Sequence, residues 1–393
     1  MRRTNLLMRG LLLLLLASLA PAAAWAQTAQ TRNFIPVEGA NLSARFDAAA
    51  RQAASAQPSR FWTAYSFDVR PGVAVDFEYV GDDGSYFNFS GDSVSFGDNT
   101  LTATGNVVET RNLGVFVLRS KEGGQVIRVD VYNLERRREY ANHPVYWAGR
   151  AANDESLQML RGLVDSTSSS DVAEQSVRAL ALHDDRRVGD MLETIARASK
   201  FEDARHAAVR WLGRTPDSTP ARQSLLLELA RSERESEKIR RAAVQSYGAP
   251  RDAAALAGLR GLYPSLASQD LKRTLLGTAA RNESREALDF LFNVARADTD
   301  PEMRRRALMH LGQRAGQQTA AAQTGASEQA DAETELQKQA VLALARRANE
   351  EAVPLLINIA RTHRKPEVRR EALRVLGRTG DARALELFRE ILK

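Results

Sequence analysis

Residues 365–393 read KPEVRREALRVLGRTGDARALELFREILK. Val368, Ala372, Val375 and Leu376 recur at helical spacing and form one apolar stripe, with Arg369, Arg370 and Arg374 on the other side. Gly377 and Gly380 let the chain leave the helix, because glycine accepts positive φ without a Cβ clash. Asp381 stands where an N-cap belongs, and Leu385, Phe388, Ile391 and Leu392 make a second stripe. The stretch is a helical hairpin. Helices of about a dozen residues are marginal alone in water, so this hairpin needs neighbours that cover both stripes.

Upstream, the same pattern returns as a ladder. VAEQSVRALA begins at Val172, ARHAAVRWLG at Ala204, IRRAAVQSYG at Ile239 and LKRTLLGTAA at Leu271; MRRRALMHLG begins at Met303, LQKQAVLALA at Leu336 and VRREALRVLG at Val368. A fixed period of 32 to 35 residues is the mark of stacked helical repeats. The spacing predicts second helices over about 187–198, 221–232, 252–262, 285–296, 350–362 and 382–392. YANHPVYWAG, from Tyr140, fits the ladder loosely and predicts a capping half-repeat. Between Gly312 and Leu336 the second helix has lost its large apolar residues, which predicts a weak helix or a loop that replaces it.

DPEMRRRALMHLG and PEVRREALRVLGRTGDARALELF resemble HEAT-like repeats of the phycobilin-lyase type. The resemblance covers about 171–393 and implies an α-solenoid. Its relatives include bilin lyases, a metal-dependent hydroxylase whose repeats carry His-Glu dipeptides as iron ligands, and scaffolds without catalysis. The chain has no His-Glu dipeptide, and His206, His310 and His363 stand singly. Together these features disfavour a lyase or hydroxylase and lead to the expectation of no cofactor, no metal and no catalysis.

The front of the chain differs. Arg2, Arg3 and Arg9 precede the leucine run 11–16, and Ala24-Trp25-Ala26 follows, which are the three parts of a secretory signal peptide. Its apolar stretch of ten residues is short of the roughly twenty needed to span a bilayer. Cleavage after Ala26 and export to the periplasm or the exterior are therefore expected, with no transmembrane segment once the signal is removed. The chain has no cysteine, so no disulfide supports it. Its formal charge is +6, and about +3 remains after the three signal arginines are lost. That balance does not resemble the basic footprint of a nucleic-acid binder.

Residues 27–60 are rich in Ala and Gln, and Leu42, Phe46, Ala49 and Ala50 predict one amphipathic helix. From Phe61 the period changes to two. Val73, Val75, Phe77 and Tyr79 mark one strand, and 115–118 and 126–132 mark two more around the turn Lys121-Glu122-Gly123-Gly124. Five to seven antiparallel strands are expected between Phe61 and Leu134. The expected organisation is a signal over 1–26, a helical segment over 27–60, a β-rich module over 61–139, a capping half-repeat with a Ser-rich linker over 140–170, and a solenoid of about seven hairpins over 171–393.

Two candidate interaction features emerge. Arg205, Arg240, Arg241, Lys272, Arg273, Arg304, Arg305, Arg369 and Arg370 occupy the second and third ladder positions, where stacking would align them along one edge as an anion-binding ridge for an acidic protein or a phospholipid headgroup. Trp211 occupies a ladder position held elsewhere by smaller residues or His, and an exposed edge of its ring would anchor a partner. The competing reading makes the arginines an ordinary solvated face bridged to acids such as Glu302 and Glu367. His183-Asp184-Asp185 reads as turn and capping chemistry. The function these features favour is binding of another protein through the solenoid. The alternative is a β module that binds an envelope ligand, with the solenoid as spacer.

Overall fold

A computed structural model describes residues 33–56, 58–71, 73–81, 84–89, 108–109, 111–120, 124–135, 140, 143–215, 219–321, 332–345 and 348–392. The proposed signal, much of the stretch between 82 and 107, and residues 322–331 of the weak-helix segment lie outside the described residues; the rest of that segment belongs to the ends of two ladder helices.

The front half is built on a mixed five-stranded sheet. β1 (Ile35–Pro36) runs parallel to β8 (Val145–Arg150), and β8 runs parallel to β2 (Arg60–Ser66). β6 (Leu113–Ser120) is antiparallel to β2 and to β7 (Val126–Asn133), giving the order β1-β8-β2-β6-β7. A second sheet has the order β4 (Gly84–Phe89), β3 (Ala74–Gly81), β5 (Val108–Glu109). Among the described residues, the six strands from β2 to β7 pair antiparallel, as expected between Phe61 and Leu134; the parallel pairs enter with β1 and β8, which lie outside that span. β8 comes from the stretch expected to open a half-repeat: alternation in PVYWAGR suits a strand, and pairing with β1 and β2 on its two sides supplies its ladder bonds.

Alternation divides the sheet between two cores. Phe61 and Tyr65 of β2 face the large core, while Trp62 and Ala64 join Phe34, Phe116 and Tyr132 in a smaller aromatic cluster on the opposite face. The large core is continuous from Val37 to Leu392. It includes α1 (Leu42–Ala56), where the expected helix lies, and α2 (Asn153–Ser166). Sheet and solenoid therefore share one interior.

Both edges of the sheet are closed by side chains. Beyond the short β1, Arg45 of α1 donates to the carbonyls of Ala148 and Arg150 on β8, and it pairs with Glu155 at 3.1 Å. At the other edge, the Val129 N–H donates to Gln175 Oε1 at 2.9 Å from the first ladder helix. Open strand edges invite pairing with other chains, and here a guanidinium and an amide occupy the exposed groups.

The solenoid follows as α3 (Ser170–Leu180), α4 (Val188–Ala198), α5 (Glu202–Leu212), α6 (Pro220–Arg231), α7 (Glu237–Tyr247), α8 (Ala253–Leu262), α9 (Gln269–Ala280), α10 (Arg285–Ala297), α11 (Pro301–Ala321), α12 (Ala332–Leu344), α13 (Asn349–Thr362), α14 (Pro366–Thr379) and α15 (Ala384–Ile391). The starts carry the caps the sequence advertises: Ser169, Thr219, Ser236, Asp252, Ser268 and Ser284 each accept a backbone N–H three residues on. Ser169 caps α3 only three residues beyond the end of α2, so the expected Ser-rich linker is a tight helix-to-helix turn.

Ladder helices α3, α5, α7, α9 and α11 stack in chain order, and then the order changes. The principal neighbour of α11 is α14, while α12 packs on α14. A Cβ on Gly312 would lie 2.8 Å from the Gly377 Cα and the Leu373 carbonyl; one on Gly377 would lie 2.9 Å from the Leu308 carbonyl and 3.1 Å from the Gly312 Cα. The two helices meet reciprocally through equivalent ladder positions. The last hairpin is therefore interior to the stack, between α11 and α12, rather than its terminal cap.

Candidate interaction surface

The proposed basic ridge divides into two sets. In the first, the second-position side chains turn back on the preceding helix. Arg205 Nε donates to the Ala196 carbonyl at 2.8 Å, and Arg240 Nε to the Ala230 carbonyl at 3.1 Å. Arg304 Nη1 reaches the Asp298 carbonyl at 2.7 Å, and Arg369 Nη1 the His363 carbonyl at 3.1 Å. Lys272 at the same position lies over the Tyr263 ring, 5.4 Å from its centroid. A helix C-terminus leaves carbonyls without intrahelical partners and carries partial negative charge, so a cation there satisfies both. These residues clamp one helix to the next.

In the second set, Arg241, Arg305 and Arg370 are exposed, and Arg273 is half exposed. Arg305 pairs with Glu302 and Arg273 with Asp270, each within its own first turn. The acids are in part those the sequence offered as bridges, but the pairs lie within one helix rather than across repeats. Trp211 is buried at 6 % exposure, with the guanidinium carbons of Arg70 and Arg214 at 5.2 and 5.4 Å from its ring centre. Its ring has no exposed edge for a partner.

His183 proves to be more than a turn residue. Residues 68–70 and 182–184 run against each other: Asp184 N–H donates to the Asp68 carbonyl at 2.8 Å and Arg70 N–H to the Leu182 carbonyl at 3.0 Å. Inside this joint, His183 Nδ1 lies 3.0 Å from the Ala179 carbonyl, which can only accept, so Nδ1 carries the proton. Nε2 then accepts from the Ser156 hydroxyl at 2.7 Å, and Ser156 Oγ accepts from the Tyr65 hydroxyl at 2.9 Å. The Phe67 ring stacks on the imidazole at 4.2 Å. Burial above all pushes the His183 pKa down to about 4 and raises that of Tyr65.

A serine bonded to a histidine invites comparison with a nucleophile and its base. Ser156 is fully buried and His183 is 2 % exposed, so no substrate reaches either atom. The chain Tyr65–Ser156–His183 ties strand, helix and turn at the sheet–solenoid junction. Among the described residues, no group of three or more His, Asp or Glu is placed to hold a metal ion. An open groove of about 640 Å³ lies between α1 and α2 over β6 and β7, with Leu42, Phe46, Val117 and Met159 among its walls.

The turn after a ladder helix carries a motif that spacing alone did not flag. Asp185 and Asp381 each bind the arginine two residues on, and those arginines, Arg187 and Arg383, each reach an acid at the start of an earlier helix, Asp154 or Glu350. Asn153 and Asn349, one residue before those acids, donate to the Asp184 and Thr379 carbonyls. Helix α2 thus plays the part for α3 that α13 plays for α14. The expected half-repeat survives in its helix, while its other half is β8.

A family model described as HEAT repeats matches residues 326–393. No curated protein matches the chain. The matched stretch contains α12 to α15, and the ladder of helices extends the same repeat back to α3. Among the described residues, no helix is long and apolar enough to cross a membrane.

Proposed function

We propose that the chain is an exported, non-catalytic scaffold or adaptor that binds another protein through its HEAT-like solenoid. HEAT repeats generally serve as protein-interaction scaffolds, and the match over 326–393 to such repeats carries the reading. The finer kinship, with repeats of the phycobilin-lyase type, belongs to the same proposal and rests on the DPEMRRRALMHLG and PEVRREALRVLG segments. Export rests on the charged start, short leucine core and Ala-Trp-Ala end of residues 1–26.

Two measurements test it. Cross-linking in the native compartment, followed by mass spectrometric identification, is expected to return a protein joined to lysines or carboxylates of the solenoid. Repeated recovery of the uncoupled chain alone overturns the scaffold reading. Intact mass of the exported protein is expected to begin at Gln27; retention of residues 1–26 overturns the export reading.

A further inference from the structure

Each ladder helix stacks on its neighbours through two faces. Ser246 of α7 and Thr278 of α9 stand at the eighth ladder position, where a Cβ on Gly213 of α5 or Gly248 of α7, each at the tenth position, would strike them. His310, at the eighth position of α11, likewise lies 3.8 Å from the Cβ position of Gly277 in α9. The eighth position therefore faces the ladder helix before it in the chain, and the tenth faces the one after.

At the reversal these faces are used unequally. Gly312 and Gly377 both stand at the tenth position, so α11 and α14 spend their following faces on each other. α12 packs on α14, where Lys365 Nζ donates to Thr334 Oγ1 at 3.0 Å. Its preceding face is left over. Ala179, Trp211, Ser246, Thr278 and Val375 are buried at the eighth position, and the fifth position is buried in each of their helices. In α12 the same two positions hold Ala340 and Ala343, and both are exposed, as is Gln339.

The companion helix is open at the same end. On α13, Glu350 and Arg361 pair with Arg383 and Glu390 at the two ends of α15, which lies on the α11 side. Leu355 and Ile359 share the flank turned away from those pairs. Leu355 is 48 % exposed, and Ile359 is half-buried.

We infer that this end face joins a second copy of the chain across a two-fold axis, with α12 and α13 of one copy packing on the same helices of the other. Three observations choose the occupant. The face continues the ladder, being the surface that the other ladder helices bury. The chain already joins like to like, since α11 and α14 meet through equivalent positions. Ala340 and Ala343 are small enough for close approach, and the Gln339 amide both donates and accepts, so it can pair with its own copy where a charge would repel. α12 has 13 residues and is about 20 Å long, and two helices side by side are about 20 Å wide, so two copies bury roughly 800 Å². That is the size of a reversible contact. The inference goes beyond the scaffold reading and stands without it.

Sedimentation velocity on the full chain tests it. The parent is expected to pass from monomer to dimer between low and high micromolar concentration. Ala343→Glu is expected to weaken association at least tenfold with melting of the monomer unchanged, because the side chain is exposed in the single chain. Ala343→Lys is expected to do the same, and an equal mixture of the two variants to associate again, because the two-fold then brings opposite charges together. The chain has no cysteine, so Ala343→Cys under mild oxidation is expected to give a disulfide-linked dimer, and Gln245→Cys, exposed on α7, to give none. A parent that stays monomeric throughout, association untouched by Ala343→Glu, or variants that fail to associate when mixed overturns the dimer. A monomeric parent that loses a cross-linked foreign protein on Ala343→Glu gives the face to that protein and overturns the dimer as well.

Discussion

Gly312 and Gly377 bring their helices into backbone contact: a side chain on either would strike the Cα of the other. The pair sets the place where the ladder stops following chain order. Replacing either glycine by alanine puts a Cβ against rigid backbone at 2.8–2.9 Å, where neither side can rotate away. Overpacking of this kind costs about 1–3 kcal/mol. Gly162 in α2 offers the contrast, with nothing within 4 Å of an added Cβ. There alanine is expected to stabilise by about 0.5–1 kcal/mol, through reduced backbone freedom in the unfolded chain. Urea unfolding of Gly377→Ala and Gly162→Ala checks both signs. A neutral Gly377→Ala would mean that α11 and α14 are not in contact.

Deleting residues 365–393 has a larger consequence in this arrangement than at the end of a simple stack. The hairpin α14–α15 is sandwiched, so its loss uncovers α11 and α12 together. Val368, Ala372, Leu373, Val375 and Leu376 are all buried in it. The truncated chain is expected to aggregate, and Leu376→Asp to lower the melting temperature sharply, because an unpaired charge there has no water. Soluble truncated protein with unchanged melting would refute the reversed order.

The arginine pair at 304 and 305 separates structural from surface charge. Arg304 caps the end of α10 through the Asp298 and Thr299 carbonyls, whereas Arg305 is 58 % exposed beside Glu302. Arg304→Ser is expected to lower stability by about 1–2 kcal/mol, the range for a charge-assisted hydrogen bond at a partly buried helix end. Arg305→Ser is expected to stay within about 0.5 kcal/mol. Equal effects in chemical denaturation would remove the distinction between clamp and surface.

How much of this was legible in the residues follows from what periodicity measures. An apolar stripe reports that a helix is covered, so Val368 to Leu376 and its six counterparts marked the ladder helices. It does not report by which neighbour, and α14 would show the same stripe beside α11 or beside α12 alone. For the same reason the reversed order was hidden. Long side chains escape periodicity too: Arg205 and Arg369 stand at outward positions, yet their guanidinium groups fold back to carbonyls nine and six residues earlier. YANHPVYWAG matched the ladder by spacing, while its strand depends on β1 and β2 lying on either side.

The buried imidazole at the sheet–solenoid junction makes stability depend on pH. His183 is neutral in the fold, with its pKa pushed down from 6.5 to about 4, chiefly by burial. His310 is pushed down to about 4 as well, by burial first and by Arg306 and Arg281 next, with Gln313 opposing. In the unfolded chain both take up protons near pH 6.5, so between about pH 6.5 and 4 the unfolded state binds more protons than the native one. Stability is therefore complete above pH 6.5 and declines as the pH falls toward 4. His183 is expected to contribute about 1–3 kcal/mol of that decline. Protonation at Nε2 would also turn the acceptor of the Ser156 hydroxyl into a donor, so the Tyr65–Ser156–His183 chain would have to reverse direction or break. Urea midpoints at pH 7.5, 6 and 5 are expected to fall in that order. His183→Gln is expected to be less stable than the parent at pH 7.5, with a shallower decline to pH 5. A parent whose midpoint is flat across this window would show that the joint does not hold a neutral histidine.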